Sequence, residues 1–218
     1  MIELKNLTKI YELNKNNKTI AIENINLSIK KGELIVLKGA SGSGKSTILS
    51  LIAGLSKPSS GEVIVNNKQV SKLPDNFASE FRQKYIGFIF QKYNLIPNLS
   101  VQNNILLPLV PKNLENKIAN ELLEKVMHDF KISHKKDEIV KNLSGGEQQR
   151  VAIARSQINN PEIVIADEPT ANLDKELSEH FINILKQLKE KGKTIIVATH
   201  DPLFFHLDFV DSIIEISK

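Results

Sequence analysis

Gly39-Ala40-Ser41-Gly42-Ser43-Gly44-Lys45-Ser46-Thr47 fits the pattern G-x-x-x-x-G-K-[ST]. It limits the fold more than any other feature, because the pattern works only between a strand and a helix. Both flanks are present. Leu34 to Leu37 is a short apolar run, and Ile48, Leu49, Leu51 and Ile52 mark an apolar helix. Glycines let backbone N–H groups turn inward around phosphate oxygens. The helix start adds the positive end of its dipole. Lys45 supplies a point charge for β- and γ-phosphates, and the Ser46 hydroxyl can ligate Mg²⁺.

Other apolar runs have the same character. Glu162 to Ala166 is closed by Asp167, and Thr194 to Thr199 is closed by His200. Such runs suit strands buried on both faces, as in a parallel sheet. Near the N-terminus, Ile2-Glu3-Leu4 and Ile20-Ala21-Ile22 read as strands joined by a polar turn, Asn14-Lys15-Asn16-Asn17-Lys18. Leu177, Phe181, Leu185 and Leu188 recur at helical spacing until Gly192. Asn113 to Phe130 is a second amphipathic stretch, with Leu114, Ile118, Leu122 and Val126 expected on one side. Alternating strands and helices predict an α/β fold with crossover helices. In such sheets ligands gather at the carboxyl ends of the strands. Gly39, Asp167 and His200 are therefore expected to share one site.

Composition removes several classes of function. Of 218 residues, 41% are hydrophobic and 25% charged, so the chain is an ordinary globular one and not disordered. It has no cysteine, which excludes a disulfide scaffold, a Cys-ligated metal and thiol catalysis. The histidines, His128, His134, His180, His200 and His206, lack metal-ligand spacing, so no structural zinc is expected. All but His200 read as exposed polar residues. The net charge of +4 reads as a solubilising surface. No apolar run reaches membrane-spanning length, and the start, Met1 to Asn6, lacks a secretory apolar region. A cytoplasmic location is expected, with any membrane role carried by a partner.

Two further segments carry chemistry. Asp167-Glu168 closes a buried strand. The Asp can hold Mg²⁺, and the Glu can orient or deprotonate a water that attacks the γ-phosphate. Leu143-Ser144-Gly145-Gly146-Glu147 leads into a helix, with Ser144 and Glu147 spaced as a capping box. A capping box leaves the two glycines unexplained, and exposed amides there would form a second anion site. Either both anion sites close on one nucleotide, or the second serves a nucleotide held by another copy.

With these residues in order, the chain resembles the ATP-binding-cassette (ABC) ATPase family over essentially its whole length. Residues 39–47 look like Walker A, and Leu143 to Arg155 like the signature sequence. Ile163 to Thr170 resembles Walker B with its catalytic Glu. Asn172-Leu173-Asp174 resembles the D-loop, Gln91 the Q-loop glutamine, His200 the switch histidine and Tyr11 the A-loop aromatic. Asp174 would equally cap the helix beginning near Leu177, and Asp201-Pro202 reads as another helix start. Ser156 and Ala166 depart slightly from the family pattern, and no guanine-reading motif appears. The stretch from Gln91 to Leu109 is similar to the branch serving lipoprotein release, macrolide-type export and cell-division permeases.

The resemblance implies a P-loop NTPase core with a mostly parallel sheet, an N-terminal antiparallel β subdomain and an inserted α-helical subdomain. That insert is expected at about residues 92–160 of a single domain, 1–218. The implied activity is ATP hydrolysis that energises a separate integral membrane permease, at the cytoplasmic membrane face. Glu168, His200, Lys45 and Gln91 are the implied catalytic set. Ser46, Gln91 and Asp167 would hold Mg²⁺. ATP would contact Tyr11, Gly39, Ala40, Ser41, Gly42, Ser43, Gly44, Lys45, Ser46 and Thr47. From the partner of a head-to-tail homodimer it would meet Ser144, Gly145, Gly146, Glu147 and Asp174. Tyr93, Leu95 and Ile96 form either a permease-docking patch or plain subdomain core. The alternative is a soluble ATPase of this type in DNA repair or assembly. The long coiled-coil insertion of such repair proteins has no room between Gln91 and Leu143, and no nucleic-acid partner is expected.

Overall fold

The computed structural model describes residues 1–14, 17–171 and 173–217. Lys15 and Asn16 of the expected N-terminal turn, and Asn172 of the D-loop segment, lie outside the described residues.

Two sheets organise the molecule. β1 (Ile2–Asn14) and β2 (Asn17–Ile29) pair antiparallel, and β4 (Ser60–Val65) and β5 (Lys68–Gln69) extend that sheet in the order β2-β1-β4-β5. The second sheet is parallel, in the order β6-β7-β8-β3-β9. Its strands are β3 (Leu34–Lys38), β6 (Ile86–Ile89), β7 (Ile163–Asp167), β8 (Thr194–Thr199) and β9 (Ser212–Glu215). The expected α/β architecture with an antiparallel N-terminal portion is what the chain adopts.

The apolar runs become central strands for a simple reason. Successive side chains of a strand point to opposite faces, so a strand covered on both sides must be apolar at every position. Ile35, Leu37, Ile163, Ile165, Ile196 and Ala198 face a core shared with α1 (Lys45–Ile52) and the antiparallel sheet. Leu34, Val36, Val164, Ala166, Ile195 and Val197 face a second core. That core includes α3 (Val101–Leu106), α4 (Asn116–Asp129), α5 (Gly145–Gln157) and α6 (Lys175–Glu190). Helix α2 (Asp75–Tyr85) precedes β6 and had no counterpart in the apolar periodicity.

Between β6 and β7 the named elements are helical. Here the expected apolar face holds except at Ile118. Helix α4 buries Leu123, Val126 and Met127, whereas Ile118 is exposed. Leu114, which precedes the helix, and the half-buried Leu122 both pack against the same core. Leu123 and Met127 widen that face toward α3 and α5, and Ile118 lies outside it. Asn104, on α3, is wholly buried. Its Oδ1 accepts from Ile96 N (2.7 Å), and its amide donates to the carbonyls of Ile96, Leu99 and Ser100. One buried side chain thus satisfies the loop that leads into α3.

Asp211 ties three elements together. Its Oδ2 accepts from Leu34 N at 2.7 Å and from Lys189 Nζ at 2.6 Å. Partial burial would raise its pKa, but the hydrogen bonds from Lys189 and Leu34 outweigh this and lower it. A carboxylate with a depressed folded-state pKa stabilises above its unfolded pKa and loses that contribution as pH falls through the folded value. Asp211→Asn is therefore expected to cost about 1 kcal/mol at neutral pH. Urea unfolding should show the gap from wild type closing below the ordinary aspartate range. A gap that persists in acid would mean the charge is irrelevant.

Candidate nucleotide site

A parallel sheet brings its carboxyl ends to one edge. Lys38 pairs with Thr199, Asp167 with Ala198, and Ile89 with Ala166. The segments starting at Gly39, Gln91, Glu168 and His200 consequently leave the sheet side by side.

The phosphate loop is shaped by its glycines. Gly44 has φ 101°, opens α1 without a side-chain cap, and lies against Ile22 and the Ala21 carbonyl where a Cβ would stand. A Cβ on Gly39 would strike the Ile216 carbonyl and Ser43 Oγ. Both glycines are demanded by backbone approach. Without side chains at these two positions the backbone can turn tightly there. Ser43 Oγ is buried within the loop and finds no hydrogen-bond partner among the described residues. An orphaned hydroxyl of this kind fits a loop completed by a ligand.

Lys45 is 5% exposed. Its Nζ donates to the carbonyls of Gly39 (2.7 Å) and Ala40 (3.1 Å), and lies 3.2 Å from Glu168 Oε1. On its other oxygen, Glu168 Oε2 is 3.0 Å from His200 Nδ1. Ser46 Oγ donates to Asp167 Oδ1 at 2.9 Å. Burial raises the Asp167 pKa, against a lowering by the Ser46 hydrogen bond. Five residues from three strand ends thus form one continuous polar cluster.

Glu168 has φ 43°, in the left-handed region. For a non-glycine residue this is a strained conformation of about 1–3 kcal/mol that neighbours must hold in place. Three donors do so. Glu168 N bonds the Ala198 carbonyl (2.8 Å), Thr170 Oγ1 bonds Asp201 Oδ2 (2.7 Å), and Gln149 Nε2 bonds the Pro169 carbonyl (3.1 Å). Nothing in the residue pattern announces this strain, and Gln149 as a brace was also not legible there. Asp201 caps a single 3₁₀ turn, Pro202–Phe204, where a helix start was expected.

The signature segment lies apart from this cluster. Ser144 caps α5 in a full capping box: its Oγ accepts from Glu147 N, and Glu147 Oε2 accepts from Ser144 N (2.9 Å). The two glycines have different causes. A Cβ on Gly146 would strike the Leu177 side chain of α6, so packing also favours the second glycine, and its backbone amide stays available to an anion. Gly145 has nothing within 4 Å of a Cβ position. Ser144, Gly145, Gly146, Glu147 and Asp174 line a separate depression of about 460 Å³, together with Lys131 and Arg150. Asp174 Oδ1 also accepts from Leu177 N (2.9 Å), so the cap on α6 is made.

Tyr11 stands opposite Thr19 in the β1–β2 hairpin and is 40% exposed, with Lys9 Nζ 4.9 Å from its ring centroid. Of the expected docking trio, Leu95 packs on the core, Ile96 is exposed, and Tyr93 is half-buried with φ 59°. His180 departs from the expectation of an exposed histidine. It is half-buried, and burial, with Arg150 and Lys131 nearby, lowers its pKa.

A family model described as ABC transporter matches residues 22–171. MJ0796 of Methanocaldococcus jannaschii, named an uncharacterized ABC transporter ATP-binding protein, is 43% identical over 92% of this chain and 87% of its own. The lipoprotein-releasing system ATP-binding protein LolD of Wigglesworthia glossinidia brevipalpis is 44% identical, covering 92% and 88%. The macrolide export ATP-binding/permease protein MacB of Campylobacter jejuni is 43% identical, covering 93% of this chain but 31% of MacB. A solved structure of MJ0796 in a dimeric post-hydrolysis state, bound to ADP and Pi, superposes with a TM-score of 0.90 at 39% identity. It covers 100% of this chain and 94% of that one.

Proposed function

This chain belongs to the ABC transporter family, and from that premise we propose how its residues divide the work of ATP hydrolysis. It is the ATP-binding and ATP-hydrolysing component of such a transporter. The observation that carries the residue assignment is the continuous cluster Ser46–Asp167 and Lys45–Glu168–His200 at the strand ends.

Phosphoryl transfer asks little covalent chemistry of a protein; positioning and charge neutralisation set the rate. The amides of residues 39–47 hold the phosphates, and Lys45 neutralises them. Its ammonium is now shared among two carbonyls and Glu168. Turning it to the phosphates frees one oxygen of Glu168 to take a proton from water, while His200 steadies the other and meets the γ-phosphate. Ser46 and Asp167 offer two hard oxygen donors 2.9 Å apart, a donor set that fits Mg²⁺, with Gln91 as a third ligand. When bound there, Mg²⁺ would neutralise phosphate charge. Tyr11 would stack on adenine. The depression lined by Ile20, Ala21 and Ile22, which adjoins Gly44, would take the nucleoside.

Ser144, Gly145 and Gly146 line a depression that Lys45 does not line, so in this reading they serve the nucleotide of a second copy, head to tail. The permease partner is read from MacB, whose name joins an ATP-binding part to a permease and of whose length this chain spans 31%. Its docking face would be the groove of about 650 Å³ lined by Arg82, Phe88, Phe90, Pro108, Pro111 and Arg155. Residues 92–160 would form the subdomain that carries part of this face. No helix of the described residues is long and apolar enough to cross a membrane. A cytoplasmic-face position would follow from the permease.

The test is direct. With Mg²⁺ and ATP, the purified chain should release phosphate and shift to a dimer on size exclusion, and chelation should stop phosphate release. A chain that stays monomeric at saturating ATP, with no phosphate released, overturns this reading.

A further inference from the structure

Helix α5 has a buried polar side chain that the hydrolytic reading does not use. Gln149 is 3% exposed, and its Nε2 donates to the Pro169 carbonyl at 3.1 Å. Pro169 follows Glu168, the strained residue proposed as general base. The helix that carries Gln149 begins at Ser144 and Gly145, and its far end is tied down too. Arg155 Nη1 and Nη2 donate to the carbonyls of Asn94 (2.6 Å) and Tyr93 (2.5 Å), in the loop that follows Gln91. Both of those residues also sit at positive φ, 49° and 59°. So one helix is bonded to the turn beside Glu168 and to the loop beside Gln91, while Ser144 and Gly145 at its start are exposed.

We infer that Gln149 is a positioning residue that holds the Glu168 turn of its own chain to the helix whose start meets the partner's nucleotide. This rests on the head-to-tail reading above. Within that reading, α5 of one chain touches the nucleotide of the other, whereas Glu168 of the same chain acts on its own. Closure of Ser144 and Gly145 at one site then sets the general base at the other, through a single buried hydrogen bond. Losing the amide donor would leave the Pro169 carbonyl buried without its partner, and the strained Glu168 would lose one of its restraints.

Mixed dimers separate this from a packing role. Differently tagged chains allow one site per dimer to be silenced with Glu168→Gln. In the first dimer, a Gln149→Leu chain pairs with a Glu168→Gln chain, so the only active site belongs to the chain lacking Gln149. Turnover should fall at least about tenfold below the matching dimer that retains Gln149, in the range seen for lost positioning. In the second, Gln149→Leu and Glu168→Gln share one chain and the partner is wild type. The active site then faces the altered helix but keeps its own Gln149, and turnover should stay within about twofold of control, the change expected where no positioning contact is lost. Equal losses in both dimers would reduce Gln149 to helix packing, and loss confined to the second would make it a support of the trans contact; either overturns the inference. Gln149→Asn, which keeps the amide but is one methylene short, repeats the test if the leucine chain does not fold. If dimers form with ATP and the first arm shows no loss, only this inference fails. If no dimer forms at all, the head-to-tail reading fails with it.

Discussion

Glu168→Gln is expected to bind ATP at least as well as wild type, yet hydrolyse it about 10²- to 10⁴-fold more slowly, the usual loss for a general base. The geometry explains both halves. The amide cannot accept the proton from water, so turnover stops. It also removes the carboxylate 3.2 Å from Lys45, and the ammonium is then free to serve the phosphates. Its oxygen can still accept from His200. The ATP-bound dimer should therefore accumulate and survive gel filtration, because ATP favours the closed dimer and hydrolysis removes that preference. Rapid-quench measurement of phosphate decides the matter. Phosphate release at the wild-type rate would remove Glu168 from the role of base.

Ser144→Arg is expected to abolish steady-state hydrolysis while one chain still binds ATP. Ser144 and Gly145 border open space at the start of α5, and an arginine there would fill the seat proposed for the partner's γ-phosphate. The substitution also removes a cap. Ser144→Ala is the control for that, expected to cost about 1 kcal/mol of stability without filling the seat. Titration with a fluorescent ATP analogue should show unchanged affinity for the arginine variant, alongside loss of the ATP-induced dimer. Unchanged turnover would count against a contact in trans.

Motif residues in this chain were legible because each is tied to its neighbours in sequence. Gly39 to Thr47 announce a strand–loop–helix unit by spacing alone. Ser144 and Glu147 announce a helix start, and the capping box is made. Apolar runs told which strands would be buried on both faces. The face of α4 was legible at Leu114, Leu122 and Val126 but not at Ile118, because periodicity does not show where the covering neighbours end. That Gly146 also packs on Leu177, 31 positions on (177 − 146), lay beyond the reach of local spacing.

What the amino-acid order determined by itself was the chemistry available: a phosphate cradle, a lysine, paired acids, a histidine and a capped glycine-rich helix. These follow from local rules of backbone freedom, charge and capping, which act over a few residues. Tertiary structure alone decided the distances and the strain. Only the parallel register places Ser46 within 2.9 Å of Asp167, 121 positions away. Only packed neighbours hold Glu168 at φ 43° and bury Gln149 against Pro169. Such contacts join segments remote in sequence, and their energies exist only once the sheet and helices have come together.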